Sequence, residues 1–302
     1  MNHLPTLKQL QYLIALADQR SFSRAAESCY VTQSTLSASI AALEELIGGP
    51  VVDRSRKDLS ITPLGRQVLD KAKHIVMETN DLLSLARSMD QPLTTTLRMG
   101  VIPTVAPYLI PLIIPQIKKH YPQLDLKIFE DQSARILHKL NQGQLDVVLL
   151  AFPYDTEGLE EKTLFKDPFI FAAPKAMEKD IPETVSTKDL SRFELLLLEE
   201  GHCLREHALE VCDIQSAKKT QGFGATSLVT LIELVRYGFG CTLLPALCLH
   251  KSAKIPNVIL RPMKKPAPAR EIGLAWRKKN PRSEEFILLA DLIKKAYEDS
   301  LS

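Results

Sequence analysis

Residues 22–65 read FSRAAESCYVTQSTLSASIAALEELIGGPVVDRSRKDLSITPLG, and the fold of the N-terminal part of the chain turns on them. Phe22, Ala25, Ala26, Val31, Leu36, Ile40 and Leu43 supply the apolar contacts of two short helices, and the paired alanines allow close approach. Thr32 is placed as the N-cap of the second helix, and Gly48-Gly49 as its C-terminal stop. Residues 51–61 (VVDRSRKDLSI) look like two short strands around a basic turn that carries Arg54, Arg56 and Lys57. Thr62 and Pro63 open another helix, because proline at the first helical position sacrifices no hydrogen bond. That helix runs to about Met89, with apolar residues from Leu64 and Val68 through Leu85 at helical spacing. Upstream, Leu7, Leu10, Leu13, Ile14 and Leu16 make a first amphipathic helix.

A DNA-reading helix-turn-helix needs two helices at a fixed angle, with the outer face of the second free to enter the major groove. The start of the second helix offers Gln33, Ser34, Thr35 and Ser37, small hydrogen-bonding side chains suited to base edges and phosphates. The basic turn behind it could reach the phosphate backbone. On spacing alone the pattern fits a three-helix bundle with a solvated basic hairpin equally well.

After the polar joint DQPLTTT (90–96) the texture changes. LRMGVI, LDLKIFE and LDVVLLA read as strands, and PYLIPLIIPQIKKHY and SARILHKLNQG as helices between them. This alternation predicts a parallel sheet covered by helices. It continues less regularly through FIFAAP, FELLLLE, SLVTLIELVRYGFG, CTLLPA and a final helix near SEEFILLADLIKKAY. Two linked α/β lobes with a ligand cleft between them fit the count. The expected organisation is therefore a mixed fold: an all-α winged helix-turn-helix (1–62), a linker helix (63–91) that pairs chains, and a two-lobed α/β regulatory domain of the periplasmic-binding-protein type (92–302).

Composition bounds the rest. At 302 residues, 45% hydrophobic and 25% charged, the chain is that of a soluble globular protein. No apolar run reaches membrane-spanning length and no signal peptide is read, so a cytoplasmic location is expected, with no membrane partner. The net charge of +2 requires any nucleic-acid footprint to be local. The seven histidines and five cysteines fall in no metal-ligand spacing, and neither a metal nor a cofactor is expected.

The cysteines divide by context. Cys29 ends a bundle helix, and Cys241 and Cys248 flank the apolar segment TLLPAL, so all three read as packed thiols. Cys203 lies in EEGHCLREHALEVC (199–212), with His202 before it and Arg205 just after. A cation and a helix N-terminus lower a thiol's pKa, so Cys203 is expected to be reactive. Leu204, Ala208 and Val211 have helical spacing. A helix between Cys203 and Cys212 would hold their α-carbons roughly 13 Å apart along its axis. A disulfide needs them within about 7 Å, so oxidation of the pair requires this stretch to unwind. On the residues alone, two unrelated thiols on one helix fit as well.

The run 22–65 resembles the N-terminal signature of the LysR-type transcriptional regulators, and the two-lobed remainder matches the same family. Ala38 and Ala41 depart from the polar or basic residues common there. Within the family, GHCLREHALEVC is similar to the redox segment of the OxyR-type branch, which senses hydrogen peroxide. The resemblance implies that Cys203 is oxidised first and Cys212 resolves it. GVIPTVAPYLIPLIIP, EDQSARIL, GATSLVTL, GFGCTLLPAL and PAPARE carry the likeness further. They imply a peroxide pocket of Thr104, Ser133 (where the branch has threonine), His202, Arg205 and Arg270, with Glu206 replacing the usual aspartate. The implied protein is a non-enzymatic activator of oxidative-stress genes. It works as a homodimer or homotetramer on double-stranded promoter DNA, with RNA polymerase as a further partner. Three other readings compete: a family member answering to a metabolite in the cleft, a transport receptor, and a thiol peroxidase.

Overall fold

A computed structural model describes residues 4–53, 59–88, 91–211, 225–249 and 255–301. Its N-terminal unit, Met1–Arg87, is built on α1 (Leu7–Gln19), α2 (Phe22–Ser28) and α3 (Gln33–Ile47). Each helix starts on a hydroxyl that accepts from a backbone N–H three residues on: Thr6 from Gln9, Ser21 from Arg24 and Thr32 from Thr35. Gly48, at φ 79°, ends α3 in the left-handed region that only glycine enters cheaply. Leu10, Leu13, Leu16, Leu36, Ile40 and Leu43 form the core. Ala25 and Ala26 are buried in it, small enough for α2 to lie close to α1 and α3.

The wing is a two-stranded antiparallel ribbon, β1 (Val52–Asp53) with β2 (Ser60–Ile61). It is tied to α3 by Glu44, whose Oε1 accepts from the backbone N–H of Val51 (2.9 Å) and Val52 (3.2 Å). Arg54, Arg56 and Lys57 lie outside the described residues. Thr62 then joins wing to helix: its Oγ1 donates to the Pro50 carbonyl (2.7 Å) and accepts from Gly65 N–H (2.8 Å). The helix that follows is α4 (Pro63–Ser88). Its first turn packs so tightly on the wing that a Cβ at Gly65 would fall 2.0 Å from the Val51 carbonyl oxygen.

The second unit, Ser88–Ser302, carries a seven-stranded sheet. In the first lobe β3 (Thr96–Val101), β4 (Asp125–Glu130) and β5 (Val147–Phe152) are parallel, joined through α5 (Ala106–His120) and α6 (Ser133–Asn141). The long β6 (Leu159–Pro174) begins in this lobe and ends in the second. There it pairs with β7 (Thr242–Pro245) and β8 (Val258–Pro262), beside α7 (Cys203–Val211) and α8 (Leu228–Arg236). The chain returns to the first lobe as β9 (Ala269–Arg277) and closes with α9 (Ser283–Leu301).

Three expectations are corrected here. The sheet is mixed, because β9 inserts antiparallel between β5 and β6. FELLLL forms no strand ladder; Leu195 and Leu198 make isolated bridges to Cys241 and Ala225. Strands β8 and β9 had no counterpart in the sequence reading. The two lobes have separate apolar cores, and α7 sits on the seam between them: Cys203 packs in the first, Leu204 and Ala208 in the second. Among the described residues, no helix is long and apolar enough to cross a membrane.

Candidate functional site

The strand register brings the site together. Asp167 of β6 and Arg270 of β9 are directly opposed across the sheet, where β6 passes from one lobe to the other. Both are fully buried, and the pair closes at 2.9 Å. A charge in such a place needs every donor answered. Arg270 Nε and Nη2 serve Asp167, Nη1 donates to Thr104 Oγ1 (2.8 Å) and Nη2 also to the Thr104 carbonyl (3.2 Å). The second carboxylate oxygen of Asp167 accepts from Leu247 N–H (2.8 Å), in the short 3-10 turn after β7. Thr104 follows β3, so this network fastens the first lobe's β3–α5 turn to the second lobe. Because its oxygen already accepts from Arg270, the Thr104 hydroxyl has its own hydrogen left to donate.

Cys203 opens α7 beside this network. Gly201, at φ 94°, turns the chain just before it, where a side chain would collide with Gln132. That close approach sets the start of α6, and so Ser133, against the start of α7. The buried Ser133 hydroxyl lies toward the Cys203 sulfur and favours its thiolate, while making no hydrogen bond of ordinary geometry. Of the expected pocket residues, Arg270 and Ser133 act on Cys203, and Thr104 is joined to them through its bonds with Arg270.

The other two expected pocket residues flank Cys203 in the chain. Arg205 Nη1 reaches back to the Leu198 carbonyl (3.1 Å), and the His202 side chain is buried. Glu206 is pushed up by partial burial against the pull of Arg205.

The expected low thiol pKa is also corrected. Burial pushes Cys203 above the ordinary thiol value. Arg270, Ser133 and the Leu204 backbone pull it down, and Glu206 pushes with the burial. The relevant cation is Arg270, which is remote in sequence, and burial outweighs it. Cys241 and Cys248 are pushed by burial to about 11 and about 12, as packed thiols should be. Cys212 lies outside the described residues.

Asp167 escaped the sequence reading. Its signal was a lone acid within LFKDPFIFAAP, a run otherwise destined for the core. His207 was passed over too. It is almost completely buried on α7, with Nε2 bonded to the Pro153 carbonyl at 2.7 Å.

In the N-terminal unit, Gln33, Ser34 and Thr35 are exposed at the start of α3 and Ser37 is half-buried one turn on. Ser23 Oγ donates to Gln33 Oε1 (2.8 Å), while Thr32 Oγ1 bonds both Ser34 Oγ (2.9 Å) and Thr35 Oγ1 (2.8 Å). The face thus presents a row of pre-oriented polar groups with Ala38 and Ala41 beside them, also exposed. Among the described residues, no cluster of three histidine, cysteine, aspartate or glutamate side chains could hold a metal.

Comparison with known proteins covers the whole of this arrangement. A family model described as the bacterial regulatory helix-turn-helix protein, lysR family, matches residues 7–66, and the LysR substrate binding domain matches 90–298. The chain is 39% identical over 296 residues to the HTH-type transcriptional regulator EstR of Acinetobacter baylyi, with 98% of each chain covered. It is 38% identical over 288 residues to a hydrogen peroxide-inducible genes activator of Escherichia coli, covering 95% of this chain and 94% of that one. A full-length cysteine-to-aspartate variant of OxyR from Pseudomonas aeruginosa has the same fold, with a TM-score of 0.79 at 32% identity. The match covers 97% of this chain and 95% of that one.

Proposed function

The chain belongs to the LysR family of helix-turn-helix transcription regulators, and from that membership we propose that it senses hydrogen peroxide through Cys203 and activates oxidative-stress genes. Hydrogen peroxide enters at the seam between the lobes, where the Thr104 hydroxyl can donate to one oxygen and Ser133 offers a second partner. The Cys203 thiolate attacks the O–O bond. Sulfur is oxidised by two electrons to the sulfenic acid, and the other peroxide oxygen leaves as hydroxide and takes a proton to become water. The Cys212 thiolate then attacks the sulfenic sulfur. A disulfide forms, and the hydroxyl departs as a second water.

The observation that carries this reading is one buried thiol acted on by both the unsatisfied Ser133 hydroxyl and Arg270, the same guanidinium that binds Thr104. Within the seam, Arg270 and the Ser133 hydroxyl favour the Cys203 thiolate against the opposing effect of burial, and the thiolate is the form that attacks peroxide. Because α7 joins both cores, unwinding it to bring Cys203 and Cys212 within about 7 Å changes how the lobes are held. The family's linker helix pairs two chains, and dimers or tetramers on cytoplasmic promoter DNA would transmit that change to operator spacing and to RNA polymerase. The protein acts as a stoichiometric switch and not as a peroxidase.

Peroxide-dependent promoter activation tests the proposal. Cys203→Ser should abolish the response while leaving DNA binding intact, and Cys212→Ser should blunt or shorten it. A Cys203→Ser protein that still responds to peroxide would sink it. The match of residues 90–298 to the LysR substrate binding domain supports a second reading, in which a small metabolite occupies the same cleft. On that reading both cysteine variants respond normally to the metabolite, and peroxide has no effect.

A further inference from the structure

His207 stands four residues after Cys203, on the face of α7 that carries the thiol. Its Nε2 is 2.7 Å from the Pro153 carbonyl, which follows β5 in the first lobe. An N–H must donate there, because a carbonyl can only accept; Nε2 therefore holds the proton. Nδ1 is then an acceptor, and it is buried with no partner. The ring is 1% exposed, so water cannot compete for the Pro153 bond. Burial also holds the ring's pKa below the ordinary imidazole value, as does the nearby Arg270, against the raising effects of the Pro153 bond and Glu210. The imidazole is neutral and serves as a single-point clasp. On the opposite side, Arg205 binds α7 to the Leu198 carbonyl that precedes it in the chain.

This clasp lies across the movement that the redox reading requires. Peroxide attack on Cys203 forms a bond only at its sulfur and does not require α7 to unwind. Disulfide formation needs α7 to unwind, and His207 is at its centre, so the ring cannot stay on Pro153 while the helix opens. We propose that His207 is a positioning residue that holds α7 on the first lobe and so sets the rate at which oxidised Cys203 is passed to the second thiol. The inference rests on the peroxide reading for its consequence, while the clasp itself does not. In the slow step the Cys203 sulfenic acid and the Cys212 thiolate form the S–S bond, and the hydroxyl leaves with a proton as water. His207 takes part in none of these bonds. At the net worth of an ordinary buried hydrogen bond, loss of this one is a roughly threefold to tenfold change in the opening equilibrium.

The test uses the full-length reduced protein with a small excess of hydrogen peroxide, quenched at intervals. Free thiol, dimedone-trapped sulfenic acid and disulfide are counted by mass spectrometry for wild type, His207→Leu and His207→Gln. Loss of the Cys203 thiol should run at the same rate, within about twofold, in all three proteins. Disulfide formation should be roughly threefold to tenfold faster in His207→Leu. His207→Gln, whose amide can still donate to Pro153, should stay near wild type; this rescue separates the clasp from a mere packing role. An unchanged or slower disulfide step in His207→Leu overturns the proposal, as does His207→Gln behaving like leucine.

Amide hydrogen exchange tests the clasp without any oxidant. Residues 204–211 should exchange roughly threefold to tenfold faster in His207→Leu, with the remainder of the domain unchanged. If wild-type Cys203 never forms a sulfenic acid, the peroxide reading fails and exchange alone decides on the clasp. Unchanged exchange then removes the clasp as well.

Discussion

Removing the Asp167 carboxylate should cost the regulatory domain far more than a typical substitution. In Asp167→Ala the Arg270 guanidinium stays buried between the lobes, keeps its bonds to Thr104 and loses its counter-charge. The Leu247 N–H loses its acceptor in the same stroke. Breaking one side of a fully buried ion pair typically destabilises by about 3–5 kcal/mol, because the remaining charge has no compensation. Both side chains are fully buried, so solvent screening does not discount that figure. For a domain of this size each kcal/mol lowers Tm by about 2–4 °C. Thermal unfolding of the full chain followed by circular dichroism should therefore show the regulatory transition fall by roughly 6–20 °C. The double variant Asp167→Leu/Arg270→Met should recover most of the loss, since a buried pair can be replaced by apolar side chains at little cost. A fall of less than about 1 kcal/mol in Asp167→Ala, or a double variant less stable than the single one, would refute the reasoning.

Three further outcomes are expected. Gly65→Ala places a methyl 2.0 Å from the Val51 carbonyl oxygen, so wing and α4 must separate. Gel shifts should show at least about tenfold weaker DNA binding with helix content unchanged, at an overpacking cost of about 1–3 kcal/mol. Arg54→Ala or Arg56→Ala should weaken binding to many DNA sequences alike and reduce the log–log salt slope by about one per lost phosphate contact; equal affinity across a salt series would mean that the wing is elsewhere. The raised Cys203 pKa gives the last one its sign: the reactive thiolate is the minor form at neutral pH and grows as pH rises. Stopped-flow rates of peroxide reaction should still be climbing at pH 9, the ordinary thiol value, and a plateau near pH 6 would contradict the burial argument.

The N-terminal unit was almost fully legible because its determinants are local. Thr32 caps α3 and Gly48 ends it, as a four-residue window could say, and Ala25 and Ala26 lie where close helices demand small side chains. The first lobe was legible for the same reason: β3, α5, β4, α6 and β5 alternate with clear periodicities. The second lobe resisted. Its β6 is continuous across both lobes and its partner β9 arrives about a hundred residues later, a pairing that no local pattern encodes.

The site divides along the same line. Cys203 and its helix were readable, and the resemblance supplied Thr104, Ser133 and Arg270. The electrostatics were misjudged: sequence neighbours Arg205 and His202 were credited with lowering the thiol pKa, while the actual cation is Arg270 and burial outweighs it. Asp167 became visible only through its register with Arg270, and His207 only through the Pro153 carbonyl it meets in space.

The central claim is that Cys203 is the peroxide-reactive thiol and Cys212 its resolving partner. One equivalent of hydrogen peroxide added to the reduced full-length protein, followed by alkylation and peptide mass mapping, tests it most directly. The account predicts early loss of the free Cys203 thiol and then a linked Cys203–Cys212 peptide, with Cys29, Cys241 and Cys248 still free. Cys203 and Cys212 remaining fully alkylated by the reagent, with or without oxidation elsewhere, would contradict it.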